Sequence, residues 1–299
     1  MTFCRWLCLG LICVVLKSVE TRGAGCPARN LSAEIAMASA IQLEFADGST
    51  LVKARSPRFP ADVFHLWLLE AVCTWDGRLG NNEELYANAR WVRNGARLTQ
   101  TSRVAGFYSY KLLITPAVDK VDLEVQLTNE SQEPWENTIL PACFQLKDAP
   151  SFRDPEGERT FVVVDGRYVA VAQTPRVEPI YWQNYLLPGR KLPMQNGQVY
   201  GHQPLSPQRV SNGLMGVVSN DTRSVVGVIS SCVGYVFYNK RPDFSCIHSQ
   251  PFLGRVKPGQ TKRGTASFYI LKGGMKELEA RARVDYDERL GNCAPQDVE

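Results

Sequence analysis

Val121-Asp122-Leu123-Glu124-Val125-Gln126-Leu127-Thr128 decides the fold class, because apolar and polar residues alternate without a break. Successive side chains of a strand point to opposite faces, so the valines and leucines form one dry face and Asp122, Glu124, Gln126 and Thr128 one wet face. A helix would spread the same residues around its circumference and bury half the charges. The stretch therefore predicts a strand on the face of a core, ended by a turn over Asn129 to Glu136.

The same reading extends outward. Thr138 to Leu146 is the next strand. Thr160 to Val164 and Tyr168 to Ala172 flank Asp165-Gly166-Arg167, a hairpin turn. Upstream, Ala36 to Phe45 stops at Asp47-Gly48, and Ala89 to Leu98 and Gly106 to Ile114 are further strands. Val63 to Thr74 is apolar throughout, so periodicity does not separate a buried strand from a buried helix. Its boundaries, Pro60 and Asp76-Gly77, favour a strand. Downstream, Leu214 to Ser219, Ser224 to Asn239, Phe244 to His248 and Lys262 to Leu271 read as strands, with a tight turn at Lys257-Pro258-Gly259. Met275 to Tyr286 is the best helix. Residues 174–212 hold six prolines and the rings Tyr181, Trp182, Tyr185 and Tyr200, and read as long loops with short strands at most. Many strands and few helices predict an all-β chain, a large two-sheet antiparallel sandwich with one short C-terminal helix.

Composition narrows the class. The 299 residues are 44% hydrophobic and 21% charged, which suits one large globular domain rather than disorder. The formal charge of +4 leaves no electrostatic footprint for nucleic acid. No apolar run is long enough to be a membrane-spanning helix. Leu7 to Leu16 is apolar, follows Arg5 and precedes Gly23-Ala24-Gly25, the pattern of an export signal. Residues 1–25 are therefore expected to be a signal peptide, residues 26–299 a single domain, and the protein secreted or periplasmic.

Cleavage there leaves Cys26, Cys73, Cys143, Cys232, Cys246 and Cys293, enough for up to three disulfides or for buried free thiols. Cys26 with Cys293 joins the chain ends, and Cys232 with Cys246 flanks Asn239 as a hairpin centre. No CxxC pair occurs, so a finger or ribbon zinc site is not expected. No P-loop, HExxH or GxSxG motif occurs, and no cofactor is implied. Asn30, Asn129 and Asn220 open glycosylation-type tripeptides.

Three segments carry a resemblance. Leu123 to Ser131 looks like a strand ending in a threonine-asparagine turn. Thr138-Ile139-Leu140-Pro141-Ala142-Cys143-Phe144-Gln145-Leu146 follows it. Cys246-Ile247-His248-Ser249-Gln250-Pro251 is followed by Val256 to Thr261 and the strand Gly264 to Leu271. In this order they resemble the galactose mutarotase-like β-supersandwich superfamily over roughly the last 180 residues. The Cys-Ile-His segment with its tail is also similar to secreted proteins of planctomycete-type bacteria.

The resemblance implies a concave face that binds sugars. It departs at two positions. The sugar-binding histidine of mutarotases falls at Pro141, and their glutamate base falls at His248. Standard aldose 1-epimerase activity is therefore not expected, since ring opening needs one group to take a proton and another to give one.

The expected function is a secreted carbohydrate-binding or carbohydrate-processing protein. The alternative is a non-catalytic glycan-binding or envelope-structural protein on the same fold. For a processing enzyme, His248 and His202 are the acid/base candidates, with lyase-type elimination on an anionic glycan as the expected chemistry. Arg241 would neutralise a uronate carboxylate there. Tyr181 and Trp182 supply rings for sugar faces, and Tyr238, Asp243 and Arg209 are further substrate-binding candidates. His65, inside an apolar run, reads as a core histidine. The expected partner is an oligo- or polysaccharide.

Overall fold

The computed structural model describes residues 40–70, 73–74, 77–78, 88–190, 198–199, 203–241 and 244–286. The expected signal peptide, Cys26, Cys293, His202 and Asp243 lie outside them. The described strands are β1 Gln42–Phe45, β2 Leu51–Arg55, β3 Val63–Leu68, β4 Cys73–Thr74, β5 Gly77–Arg78, β6 Arg90–Asn94, β7 Arg97–Val104, β8 Tyr108–Pro116, β9 Lys120–Asn129, β10 Trp135–Ile139 and β11 Ala142–Asp148. They continue as β12 Thr160–Val164, β13 Arg167–Ala170, β14 Trp182–Leu186, β15 Gln198–Val199, β16 Gln203–Pro204, β17 Met215–Val218, β18 Ser224–Ser230, β19 Val233–Arg241, β20 Phe244–Val256 and β21 Thr261–Lys272, before helix α1 Met275–Asp285.

Two antiparallel sheets form the sandwich. One runs β1-β2-β3-β11-β20-β10-β4-β5, with β19 also on β20 and β14 on β19. The other runs β13-β12-β17-β18-β21-β9-β8-β7-β6. The all-β class and the C-terminal helix are as the sequence predicts. Strand β9 buries Val121, Leu123, Val125 and Leu127, the alternation that opened the reading. These residues meet Phe64, Phe144, Tyr238 and Ile247 of the first sheet in one core. Phe144 of β11 and Phe268 of β21 touch across it edge to face, with centroids 5.4 Å apart.

Some boundaries differ from the sequence reading, each for a local reason. Ala89 to Leu98 is a hairpin, because Gly95 takes φ +59 between β6 and β7. Thr138 to Leu146 is two strands separated by Leu140-Pro141. Ser224 to Asn239 is two strands, turned at Cys232, whose φ is +48. Asn239 is no hairpin centre. It sits within β19 opposite Cys246, and the two strands still pair at Arg241 and Phe244. The pairing of Cys232 with Cys246 is corrected accordingly: Cys246 and Cys143 are both buried free thiols. No helix of the described residues is long and apolar enough to cross a membrane.

Helix α1 lies on the outer face of the second sheet, with Met275, Leu278 and Ala282 against Leu214, Val225, Ile229 and Tyr269. Glycine at 216 and 227 lets it approach. A Cβ at Gly227 would stand 2.4 Å from Leu278 Cδ2 and 3.0 Å from the Met215 carbonyl oxygen. Gly227→Val is expected to destabilise the chain by about 1–3 kcal/mol through overpacking, read as a lower urea midpoint.

Candidate functional site

The outer face of the first sheet carries the candidate site, and its strand register builds it in two rows. The first row runs across five strands as His65, Gln145, Cys246, Asn239 and Trp182. The second runs as Trp67, Cys143, His248, Phe237 and Asn184. Cross-strand neighbours stand about 5 Å apart, and the rows about 7 Å, so side chains within and between rows touch. Strand β20 adds Gln250 two residues beyond His248 on the same face. Ile139, Leu186, Tyr235 and Phe252 surround the sulfurs, with Trp67, Trp182 and Leu205 packed at the edge.

At the centre, Cys246 Sγ lies 3.0 Å from His248 Nε2, and Gln250 Nε2 lies 3.1 Å from His248 Nδ1. Gln250 is itself fixed, its Oε1 accepting the Ala142 backbone N–H at 3.2 Å. The Phe237 ring meets the imidazole edge to face at 4.8 Å. Burial alone would lower the His248 pKa, but the Cys246 sulfur beside it raises it overall. Burial pushes the Cys143 thiol well above the ordinary range. Cys246 moves the other way: the Cys143 and His248 contacts outweigh its burial.

His248 does not end a strand. It lies midway along β20 and is only 2% exposed. Trp182 and Tyr181 are at the accessible rim of the same face. Tyr181 is 40% exposed, and its ring lies tilted over Trp182 with centroids 5.6 Å apart. The Tyr181 carbonyl accepts the Lys240 N–H at 2.6 Å, which ties this pair to the end of β19. Arg241, two residues past Asn239, is exposed there. Phe237, the residue opposite His248, is four positions from Arg241, about 13 Å along the strand. Among the described residues, buried side-chain atoms on this face without a hydrogen-bond partner include Trp182 Nε1, Asn184 Oδ1 and His65 Nδ1.

Two sequence candidates lie elsewhere. Tyr238 points the opposite way from Phe237, into the inter-sheet core, with its hydroxyl donating to the Ile180 carbonyl at 2.8 Å. Arg209 donates from Nη1 to the Leu187 and Arg190 carbonyls at 3.0 Å each, which makes it a loop clamp. His65 is buried, as the sequence suggests, but on the site face. Its Nε2 is 2.7 Å from Asp148 Oδ2, and burial lowers its pKa.

Sequence reasoning missed Cys143, Gln145, Asn184, Asn239 and Gln250. The only local signal was the spacing of Cys246, His248 and Gln250 at every second residue, which places all three on one face of a strand. A second cleft of about 250 Å³, on the other sheet, is lined by Lys120, Asp122, Glu124, Arg263 and Asp285. Its charges are paired with one another, as in Lys120 with Asp285 and Arg263 with Glu124.

No family model matches the chain, and no curated protein matches it. Solved structures do. A galactose mutarotase related enzyme from Lactobacillus acidophilus is similar over 77% of this chain and 97% of its own, at 11% identity and TM-score 0.45. A galactose mutarotase-like protein from Clostridium acetobutylicum is similar over 78% and 98%, at 12% identity and TM-score 0.45. The α-N-acetylgalactosaminidase NagBb from Bifidobacterium bifidum, solved with GalNAc, is similar over 83% of this chain but 37% of its own, at 10% identity and TM-score 0.50. At these identities the likeness is one of fold alone, and it is carried by the NagBb comparison at TM-score 0.50.

Proposed function

We propose that the chain is an exported carbohydrate-binding protein that holds glycan at the Tyr181–Trp182 rim of its larger sheet. The observation that carries this reading is the aromatic pair beside Arg241, an exposed Tyr181 over a half-buried Trp182. Rings stack on the apolar faces of sugars, and a few fixed polar groups set orientation. Trp182 Nε1 and Asn184 Oδ1, unpartnered but buried, are a donor and an acceptor that a hydroxyl entering behind the rings would satisfy. Arg241 suits the carboxylate of an anionic glycan.

The binding reading stands ahead of the processing one. A lyase would need a base next to the carbon it deprotonates and a cation on the adjacent carboxylate. His248 is enclosed by Cys246, Gln250 and Phe237, while Arg241 stands at the far end of the strand. The signal-like N-terminus supports export. So does the resemblance to secreted bacterial proteins.

Binding is measured by titrating the purified chain with acidic and neutral oligosaccharides. Trp182→Ala is expected to weaken the best ligand at least about tenfold, about 1.4 kcal/mol. Arg241→Gln is expected to weaken acidic ligands selectively. Absence of binding to any glycan, or equal affinity in Trp182→Ala, would reject the rim. Growth of unsaturated-uronate absorbance, lost in His248→Gln, would move the assignment to the lyase.

A further inference from the structure

The buried sulfurs remain outside that function, and their chemistry is specific. Cys143, Cys246 and His248 offer two Sγ atoms and an imidazole nitrogen, all within 4.8 Å of one another. The residues come from neighbouring strands, with Cys143 directly opposite His248 and Cys246 one row away. All three are essentially sealed from solvent and ringed by Ile139, Leu186, Tyr235 and Phe252. We propose that Cys143, Cys246 and His248 bind a thiophilic divalent cation of the zinc class.

Three physical arguments support a cation over a reactive thiol. The first is geometry. Zinc takes Cys sulfur at about 2.3 Å and His nitrogen at about 2.0–2.1 Å, so its ligand atoms sit about 3.5–4 Å apart. The cluster has that size, and its 3.0 Å sulfur–nitrogen contact needs to open only by tenths of an ångström.

The second is charge. Two thiolates and a neutral imidazole sum to minus two, and a divalent cation cancels it. An uncompensated thiolate in so apolar a place would be costly. The third is support. Ligation through Nε2 leaves the imidazole proton on Nδ1, and Gln250, 3.1 Å away, accepts it once its amide turns over to present Oε1 and gives up the Ala142 N–H. A nucleophile, by contrast, needs access, which Cys246 lacks.

The full-length chain, prepared reduced and metal-free, is titrated with cobalt(II) and then with zinc(II). One cobalt per chain is expected, with thiolate charge-transfer absorbance and tetrahedral-type visible bands that zinc abolishes. Cys143→Ser and Cys246→Ser should each remove the charge-transfer band, and Gln250→Ala should weaken binding by about 10–100-fold. Circular dichroism establishes that each variant is folded. X-ray absorption on the zinc-loaded parent, which depends on no variant, should show two sulfurs and at least one nitrogen. A sulfur-free shell, undiminished cobalt binding in the double serine variant, a Cys143–Cys246 disulfide in the isolated protein, or no binding would overturn the proposal.

Discussion

Replacing Asp154 by alanine is expected to destabilise the chain by about 3–5 kcal/mol, the largest effect of any polar substitution considered. Asp154 lies at the sandwich edge, with its side chain 4% exposed against a Lys240 side chain 1% exposed. Its Oδ2 is 3.8 Å from Lys240 Nζ and accepts the Arg159 backbone N–H at 3.0 Å and the Thr160 hydroxyl at 2.7 Å. Alanine strips two donors of their acceptor at once and leaves a buried ammonium without its counter-charge. Lys240→Met should cost much less, since Asp154 keeps both hydrogen bonds and the methionine fills the same space.

The two variants also separate in pH. Burial depresses Lys240 to about 8, with Asp154 offsetting part of the shift. A lysine whose folded pKa is below its unfolded value binds fewer protons when folded, so between about pH 8 and 10.5 stability rises with pH. Below pH 8 the full cost of burying the charge is present. Buried tyrosines such as Tyr185 and Tyr269 are pushed upward by desolvation and act in the opposite sense above about pH 10. The Lys240 contribution is therefore the difference between parent and Lys240→Met. That difference should favour the parent progressively from pH 8 to 9.5 in urea unfolding. A flat difference would show that Lys240 is not buried charged.

The second large effect is in the core. Phe144→Ala should cost about 3–5 kcal/mol, whereas Phe144→Leu should cost about 1–1.5 kcal/mol. Phe144 is fully buried between Phe64 on its own sheet and Phe268 on the other. It links the layers directly, so the alanine hole cannot be filled without moving both sheets. A loss below about 1 kcal/mol in chemical unfolding would mean that the layers do not meet there.

These interactions mark what the sequence made legible. The Val121 to Thr128 alternation, the Asp-Gly and Pro-Gly turns and the helix at Met275 could all be read locally, because each depends on near neighbours. Facing could not be read in β19, where every residue from Val233 to Lys240 is buried. With both faces of the strand covered, alternation leaves no polar trace, so Tyr238 and Phe237 look alike in sequence. One points into the core and the other onto the site. The thiol–imidazole cluster was hidden for a different reason: Cys143 and Cys246 are 103 residues apart and meet only through the β11–β20 register. Gln145 and Asn239 became site residues by the same pairing.

The rim is tested most directly by nuclear magnetic resonance of the tryptophan indole N–H groups during titration with an acidic oligosaccharide. Of the six tryptophans, Trp6 lies in the expected signal peptide, so the mature protein gives five indole signals that report separate places. The account predicts that the Trp182 signal, whose N–H has no acceptor in the free protein, moves downfield and saturates with the binding curve. Trp91, hydrogen-bonded to the Ser49 carbonyl at 2.7 Å, should stay in place. A saturating shift confined to Trp91 or Trp135, with Trp182 unmoved, would contradict the account.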